Sequence, residues 1–182
     1  GFMKGCRTAG NLFIIKGLIQ RQLLMGKSLV LCFIDFSKAF DLVNRDILFF
    51  KIMKSGWYGR VIDTLRNLYK NTSFRVKHKG WISFLINDVM GVNQGGIASG
   101  LLFRKYLADL SAYLQSEFGV CVGEMIIMHI LWADDLILMA DSIAGMQTQL
   151  NGLAKFCNRN GMIVNEIKSK CMSHGHIGHV HV

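Results

Sequence analysis

Apolar residues recur at helical spacing from about Thr8 to Met25, at Leu12, Ile15, Ile19 and Leu23, and predict an opening helix. Ser28 to Ile34 is a short apolar run that stops at Asp35 and reads as a buried strand. Arg45–Lys54 and Tyr58–Tyr69 read as two helices divided by the Ser55-Gly56 break. Ser73 to Lys79 alternates through Phe74, Val76 and His78 like a strand, with Phe84 to Val89 as a candidate partner. Gly95-Gly96 opens a loop before a long helix, about Ser99 to Phe118. Two apolar runs follow, Glu124 to Trp132 and Leu136 to Ala140. Only Ala133-Asp134-Asp135 separates them, which predicts a hairpin with two acids at its tip. A helix over Ser142–Asn158 and a short strand around Met162–Val164 lead to the basic stretch Lys168-Ser169-Lys170. This order predicts an α+β fold: a mixed antiparallel sheet with helices on one face, with the ferredoxin-like split βαβ as the candidate core.

A chain of 182 residues, 51% apolar, can bury a core and fits one domain. No apolar run approaches the roughly 20 residues of a membrane helix, so no membrane partner is expected. Gly1 in first place suggests a start inside a larger product. The formal charge of +9 favours polyanionic partners, although a merely basic surface gives the same number. Cys6, Cys32, Cys121, Cys157 and Cys171 are odd in number and form no CxxC pair. That argues against a zinc site or a disulfide framework and for a reducing compartment.

The acids carry the candidate chemistry. Asp35 ends one apolar strand, and Asp134 and Asp135 sit between two others. Carboxylates beside apolar neighbours are costly without compensation, and adjacent acids raise one another's pKa. A divalent cation would remove both problems, and Mg²⁺ takes one or two carboxylates while leaving positions for water and phosphate. Two such ions about 3.5–4 Å apart can serve a phosphoryl transfer. On spacing alone, a solvated turn explains the Asp pair as well.

Four stretches, in order, carry a resemblance: Phe33-Ile34-Asp35-Phe36-Ser37-Lys38-Ala39-Phe40-Asp41 continued by Val43-Asn44-Arg45; Gly91-Val92-Asn93-Gln94-Gly95; Trp132-Ala133-Asp134-Asp135; and Asn165-Glu166-Ile167-Lys168-Ser169-Lys170. With Gly1-Phe2 through Thr8 and Asn11, they resemble the palm of reverse transcriptases from non-LTR (LINE-type) retrotransposons, over about residues 1–172. The resemblance implies an RNA-directed DNA polymerase joining a deoxynucleoside triphosphate to a primer 3′-OH. It implies that Asp35, Asp134 and Asp135 hold Mg²⁺, with Mn²⁺ as the alternative, and that Lys168 assists at the triphosphate. Phe36, Phe40, Gln94 and Gly95 are the implied nucleotide-binding residues, with the Phe40 ring excluding a 2′-OH. Plain readings stand beside these: core packing for Phe40, a helix-entry loop for Gly95-Gly96, a solvated lysine for Lys168. The implied partners are an RNA template, a DNA primer, dNTP and the rest of the polyprotein (fingers, thumb and endonuclease), in nucleus and cytoplasm.

The chain departs from the pattern at Gly100, where the family usually has Pro, and at Trp132, in place of Tyr or Phe. Met3 and Cys6 replace common arginines, and Gly10 a common Asp. These departures suggest accumulated substitution, and a catalytically inactive remnant that folds and binds nucleic acid is the alternative expectation. A nucleotidyl cyclase would share the acids but leaves Gln94-Gly95 and Asn165–Lys170 unexplained. Residues 173–182 hold four of the six histidines and are expected to be an irregular tail rather than a transition-metal site.

Overall fold

The computed structural model describes residues 8–93, 95–96 and 98–174. Helix α1 spans Thr8–Leu24, strand β1 Leu29–Ile34, and helices α2 and α3 Arg45–Lys54 and Arg60–Tyr69. Four two-residue strands follow: β2 Ser73–Phe74, β3 Lys77–His78, β4 Trp81–Ile82 and β5 Ile86–Asn87. Helix α4 (Ser99–Tyr106) precedes two 3-10 turns, Leu110–Tyr113 and Ser116–Phe118. The chain then runs through β6 Val120–Val122, β7 Met125–Ile127, β8 His129–Trp132, β9 Asp135–Ala140, α5 Ile143–Asn160 and β10 Lys170–His174. By internal contacts it divides into two compact units, Gly1–Ala39 with Leu107–Val182, and Phe40–Tyr106.

The first unit is built on a four-stranded antiparallel sheet in the order β10-β1-β9-β8. β1 therefore lies between β9 and β10, the two strands that α5 connects. Both are antiparallel to β1 and hence parallel to each other. All but one of the β1 residues are buried, as a strand covered on both faces requires. Leu29 and Leu31 pack with Met139, Val120 and Leu18 of α1. This leaves α5, which lies against β9 and β1, for the opposite face. The expectation of helices on one face alone is thus corrected: the central strand has no polar face to leave open.

Several other expectations change. α1 turns Ile15, Leu18 and Ile19 inward, while Leu12 and Leu23 are exposed. The long helix expected over Ser99–Phe118 ends at Tyr106. Beyond it, the buried Gln149 side chain bonds both the N–H and the C=O of Gln115 (3.0 and 2.8 Å). Gly152 lets the Tyr113 carbonyl approach so closely that a Cβ would collide with it. Helix propensity yields there to docking on α5. The run Glu124–Trp132 is two strands, and Met162–Val164 contributes only a bridge, from Val164 to Phe36. β10 was not foreseen, and it takes in Ser173 and His174 of the expected irregular tail. Residues 175–182 lie outside the described residues.

β10 also brings together two cysteines for which the sequence predicts no pairing. Cys32 and Cys171 are direct cross-strand partners, Cα atoms 4.1 Å apart, and form a disulfide. Neither the parity nor the spacing of the cysteines reveals a pairing created by two strands far apart in sequence. Among the described residues, no helix is long and apolar enough to cross a membrane.

Candidate active site

The register of β1 on β9 pairs Val30 with Ala140 and Ile34 with Leu136. Continued by one step, it carries Asp35 toward Asp135, the first residue of β9. The β8–β9 hairpin closes on a two-residue turn, Ala133-Asp134, with Trp132 opposite Asp135. Ala133 has φ 56°, the positive φ such hairpin turns need at their first central position. Burial pushes the Asp135 carboxyl above its ordinary pKa, and the charges of Asp134 and then Asp35 push it further. Asp35 and a pair of acids roughly a hundred residues further on thus share one electrostatic neighbourhood.

Among the described residues, no three His, Cys, Asp or Glu side chains form a group close enough to hold a metal ion by themselves. The acids nevertheless suit a cation: their mutual repulsion is what a divalent ion would cancel. Mg²⁺ usually relies on one or two carboxylates, waters and substrate phosphates rather than on an all-protein cage.

Lys168 lies 4.0 Å from Asp35 Oδ2, with both side chains substantially open to solvent. Screening makes this a weak pair. The backbone is held more firmly. Asp35 N–H donates to the Ser169 hydroxyl (3.1 Å), and its carbonyl accepts from Asn165 N–H (2.8 Å). Ser37 N–H donates to the Ile163 carbonyl, and Ser169 N–H to the Asn165 carbonyl (2.8 Å each). The buried Ser169, passed over in the sequence between two lysines, thus ties the Lys168 segment to the Asp35 backbone. Phe36 is buried, 6% exposed, and its backbone bridges to Val164.

In the second unit, the half-buried Phe40 ring stacks on Phe103, centroids 4.7 Å apart. Gly91 donates to the Val43 carbonyl and Val92 to the Phe40 carbonyl. A Cβ on Gly91 would meet the Asp41 carbonyl at 2.8 Å, and its φ is 80°. Gly91 is therefore the glycine that close approach demands. Gly95 has open space around it and needs glycine only for its φ of 79°. Gln94 lies outside the described residues.

Arg45, seen in the sequence only as part of a motif, is the polar centre of this unit. It is 9% exposed, and its Nε donates to the Gly91 carbonyl (2.8 Å). Its two terminal nitrogens reach the carbonyls of Tyr69, Asp88 and Met90, the Thr72 hydroxyl and the Asp88 carboxylate, the last at 2.7 Å. Its guanidinium also lies over the Tyr69 ring. A buried arginine followed by a helix has no signature that distinguishes it from a surface one until its partners are in place.

The ends of the two inner strands bring acids toward one another, with a lysine segment tied to the Asp35 backbone, and define a candidate phosphoryl-transfer site. The chain belongs to the reverse transcriptase (RNA-dependent DNA polymerase) family, whose model matches residues 1–179. Within that family it is similar to polyproteins of non-LTR retrotransposons of the R2 type. It is 28% identical over 175 residues to the Pol polyprotein of retrotransposable element R2DM from Drosophila melanogaster, covering 96% of this chain and 16% of that relative. It is 25% identical to the R2 Pol polyprotein of Bradysia coprophila, covering 90% of this chain and 19% of the relative. Among solved structures it resembles an apo telomerase from Candida tropicalis, with a TM-score of 0.69, 16% identity, and 94% of this chain aligned to 36% of that one. The chain thus spans less than a fifth of these polyproteins.

Proposed function

We propose that this chain is the palm of an RNA-directed DNA polymerase that transfers a deoxynucleotide to a primer 3′-OH on an RNA template. The observation that carries this reading is the strand register that runs Asp35, at the end of β1, toward Asp135, at the start of β9 and next to the Ala133-Asp134 turn. The β9–α5–β10 connection with β1 inserted between its strands supports the split βαβ core of a palm. Asp35 and Asp134 would hold divalent ions, with Asp135 completing the acidic edge. When bound, such ions neutralise phosphate charge and lower the pKa of an attacking hydroxyl.

The remaining roles belong to this chain's own side chains. Lys168, loosely held by Asp35, is free to swing to a triphosphate and to donate a proton to the departing pyrophosphate. The Phe40 ring, fixed by Phe103, would stand where a ribose 2′-OH clashes. Gln94 and Gly95 would line the nucleotide and template pocket. The wider partners proposed are the other segments of a retrotransposon polyprotein, in nucleus and cytoplasm.

The test is primer extension on an RNA template with Mg²⁺, using the chain within its polyprotein. Asp134→Ala abolishes extension while the fold, read by circular dichroism, is retained. Undiminished extension by that variant rejects the assignment. Gly100 and Trp132, which depart from the family pattern, favour a second reading, a catalytically silent fold that only binds nucleic acid. Salt-sensitive RNA binding without incorporation, by the wild type and by Asp134→Ala alike, would select it.

A further inference from the structure

Residues 72–89 form an arm that buries almost nothing yet is anchored with unusual care. The chain goes out through β2 and β3, turns at Lys79-Gly80 with φ of 44° and 87°, and returns through β4 and β5. Positive φ at both central residues is the type I′ hairpin geometry. β3 pairs with β4 (Lys77 with Ile82, His78 with Trp81) and β2 with β5 (Ser73 with Asn87, Phe74 with Ile86). Two residues separate the paired positions on the outgoing strand and three on the returning one, so the arm carries a bulge and bends there. Phe84 sits in that bulge at 94% exposure, Trp81 beside the tip at 82% and Phe74 near the base at 50%.

The root is clamped from both sides by Arg45, which bonds Tyr69 and Thr72 on the way out and Asp88, Met90 and Gly91 on the way back. The Thr72 and Asp88 backbones bond each other as well. A buried guanidinium stabilises the mount of a structure whose tip contributes nothing to the core.

The charges on the arm point to what covers it. From Lys70 to Met90 the sequence holds Lys70, Arg75, Lys77 and Lys79, and one acid, Asp88. That acid is already paired with Arg45 at 2.7 Å. The cations therefore stand without a countercharge on the arm, interleaved with exposed aromatic rings. An open cleft of about 750 Å³ at the root adds Arg66 and Lys70 to its polar lining. Protein interfaces are depleted in lysine, whereas single-stranded nucleic acids are held by cations along the backbone and aromatic platforms under the bases.

We infer that the arm of residues 72–89 is a binding element for single-stranded nucleic acid, with Trp81, Phe84 and Phe74 as stacking platforms and Arg75, Lys77 and Lys79 as phosphate contacts. This goes beyond the polymerase reading and makes no use of the acids.

The test is fluorescence anisotropy of a labelled oligouridylate with the chain, without divalent ions or nucleotides, so its outcome does not depend on incorporation. Trp81→Ala with Phe84→Ala weakens binding about a hundredfold at fixed salt, since each of the two lost stacks is worth about tenfold. Lys77→Gln with Lys79→Gln flattens the slope of log affinity against log salt by about 1.4, the contribution of two cations on a single strand. Duplex RNA competes poorly against the single strand. In parallel, 4-thiouridine cross-links on the wild-type chain map to peptides within residues 72–89, which needs no folded variant. Unchanged affinity in the aromatic pair, or cross-links confined elsewhere, overturns the inference. So does a self-association that the aromatic substitutions abolish while RNA binding is untouched, which would make the arm a protein-docking surface. Binding through the arm, together with a polyprotein that never incorporates in the primer-extension test, would sink the polymerase reading alone.

Discussion

The four-stranded sheet and the arm at 72–89 are both antiparallel β-structure, yet they are held in opposite ways. In the sheet, strands of four to six residues lock register through apolar side chains, and Leu138, Met139 and Ala140 have no exposed surface at all. In the arm, ladders of two residues expose every strand side chain, and the order comes from one arginine at the root. Isolated two-stranded ribbons are marginal in water. The difference teaches that a regular ladder is not evidence of a core: the sheet is made by what it buries, the arm by what grips its ends.

Substitutions sharpen this contrast. Arg45→Ala should cost about 3–5 kcal/mol in denaturant unfolding, because it strands the Asp88 carboxylate and several carbonyls. Amide exchange in 72–89 should rise while the strands of the sheet keep their protection. An arm as protected as before would show that the clamp is not what orders it. Leu138→Ala should cost about 2–5 kcal/mol through transfer and cavity terms, and a loss near zero would contradict a close-packed sheet.

Asp135→Asn is smaller and runs the other way. The folded-state pKa of Asp135 is raised, so the native protein holds its proton more tightly than the unfolded chain. Stability therefore falls as pH rises from the ordinary Asp value through the raised one, and stays lower above it. The Asn variant should melt higher than the wild type at neutral pH, and the gap should close on acidification. A gap independent of pH would mean the charge is not its origin. Smallest of all, Trp81→Ala or Phe84→Ala should shift unfolding by no more than about 0.5 kcal/mol. A large loss at either would mean the arm packs against something after all.

β1, α2 and the Asp134-Asp135 hairpin were legible because each carries its signal within itself: an apolar run, the Ser55-Gly56 break, and the short Ala133-Asp134-Asp135 link between two apolar runs. α4 was read too long because the docking of 110–118 on α5 depends on Gln149, far along the chain. β10 was missed because Lys170–His174 has no apolar run and takes its pairing from β1. The alternation through Phe74, Val76 and His78 marks a strand, of which the structure keeps the two ends, Ser73–Phe74 and Lys77–His78, as ladders. In the site, the acids could be named from their motifs. The roles of Ser169 and Arg45 could not, since both come from backbone partners that only folding supplies. Phe36 is a motif position whose side chain lies in the core.

The strand order has a consequence for synthesis. β1 leaves the ribosome roughly a hundred residues ahead of its nearer neighbour in the chain, since its partners lie at residues 135–140 and 170–174. Until most of the chain has followed, a nearly all-apolar strand has two unpaired edges, the condition under which nascent chains stick to one another. Contacts of such long sequence separation close slowly. A polypeptide halted before β9 should therefore be recovered with chaperones or in aggregates, and the sheet should assemble only when its last strand arrives.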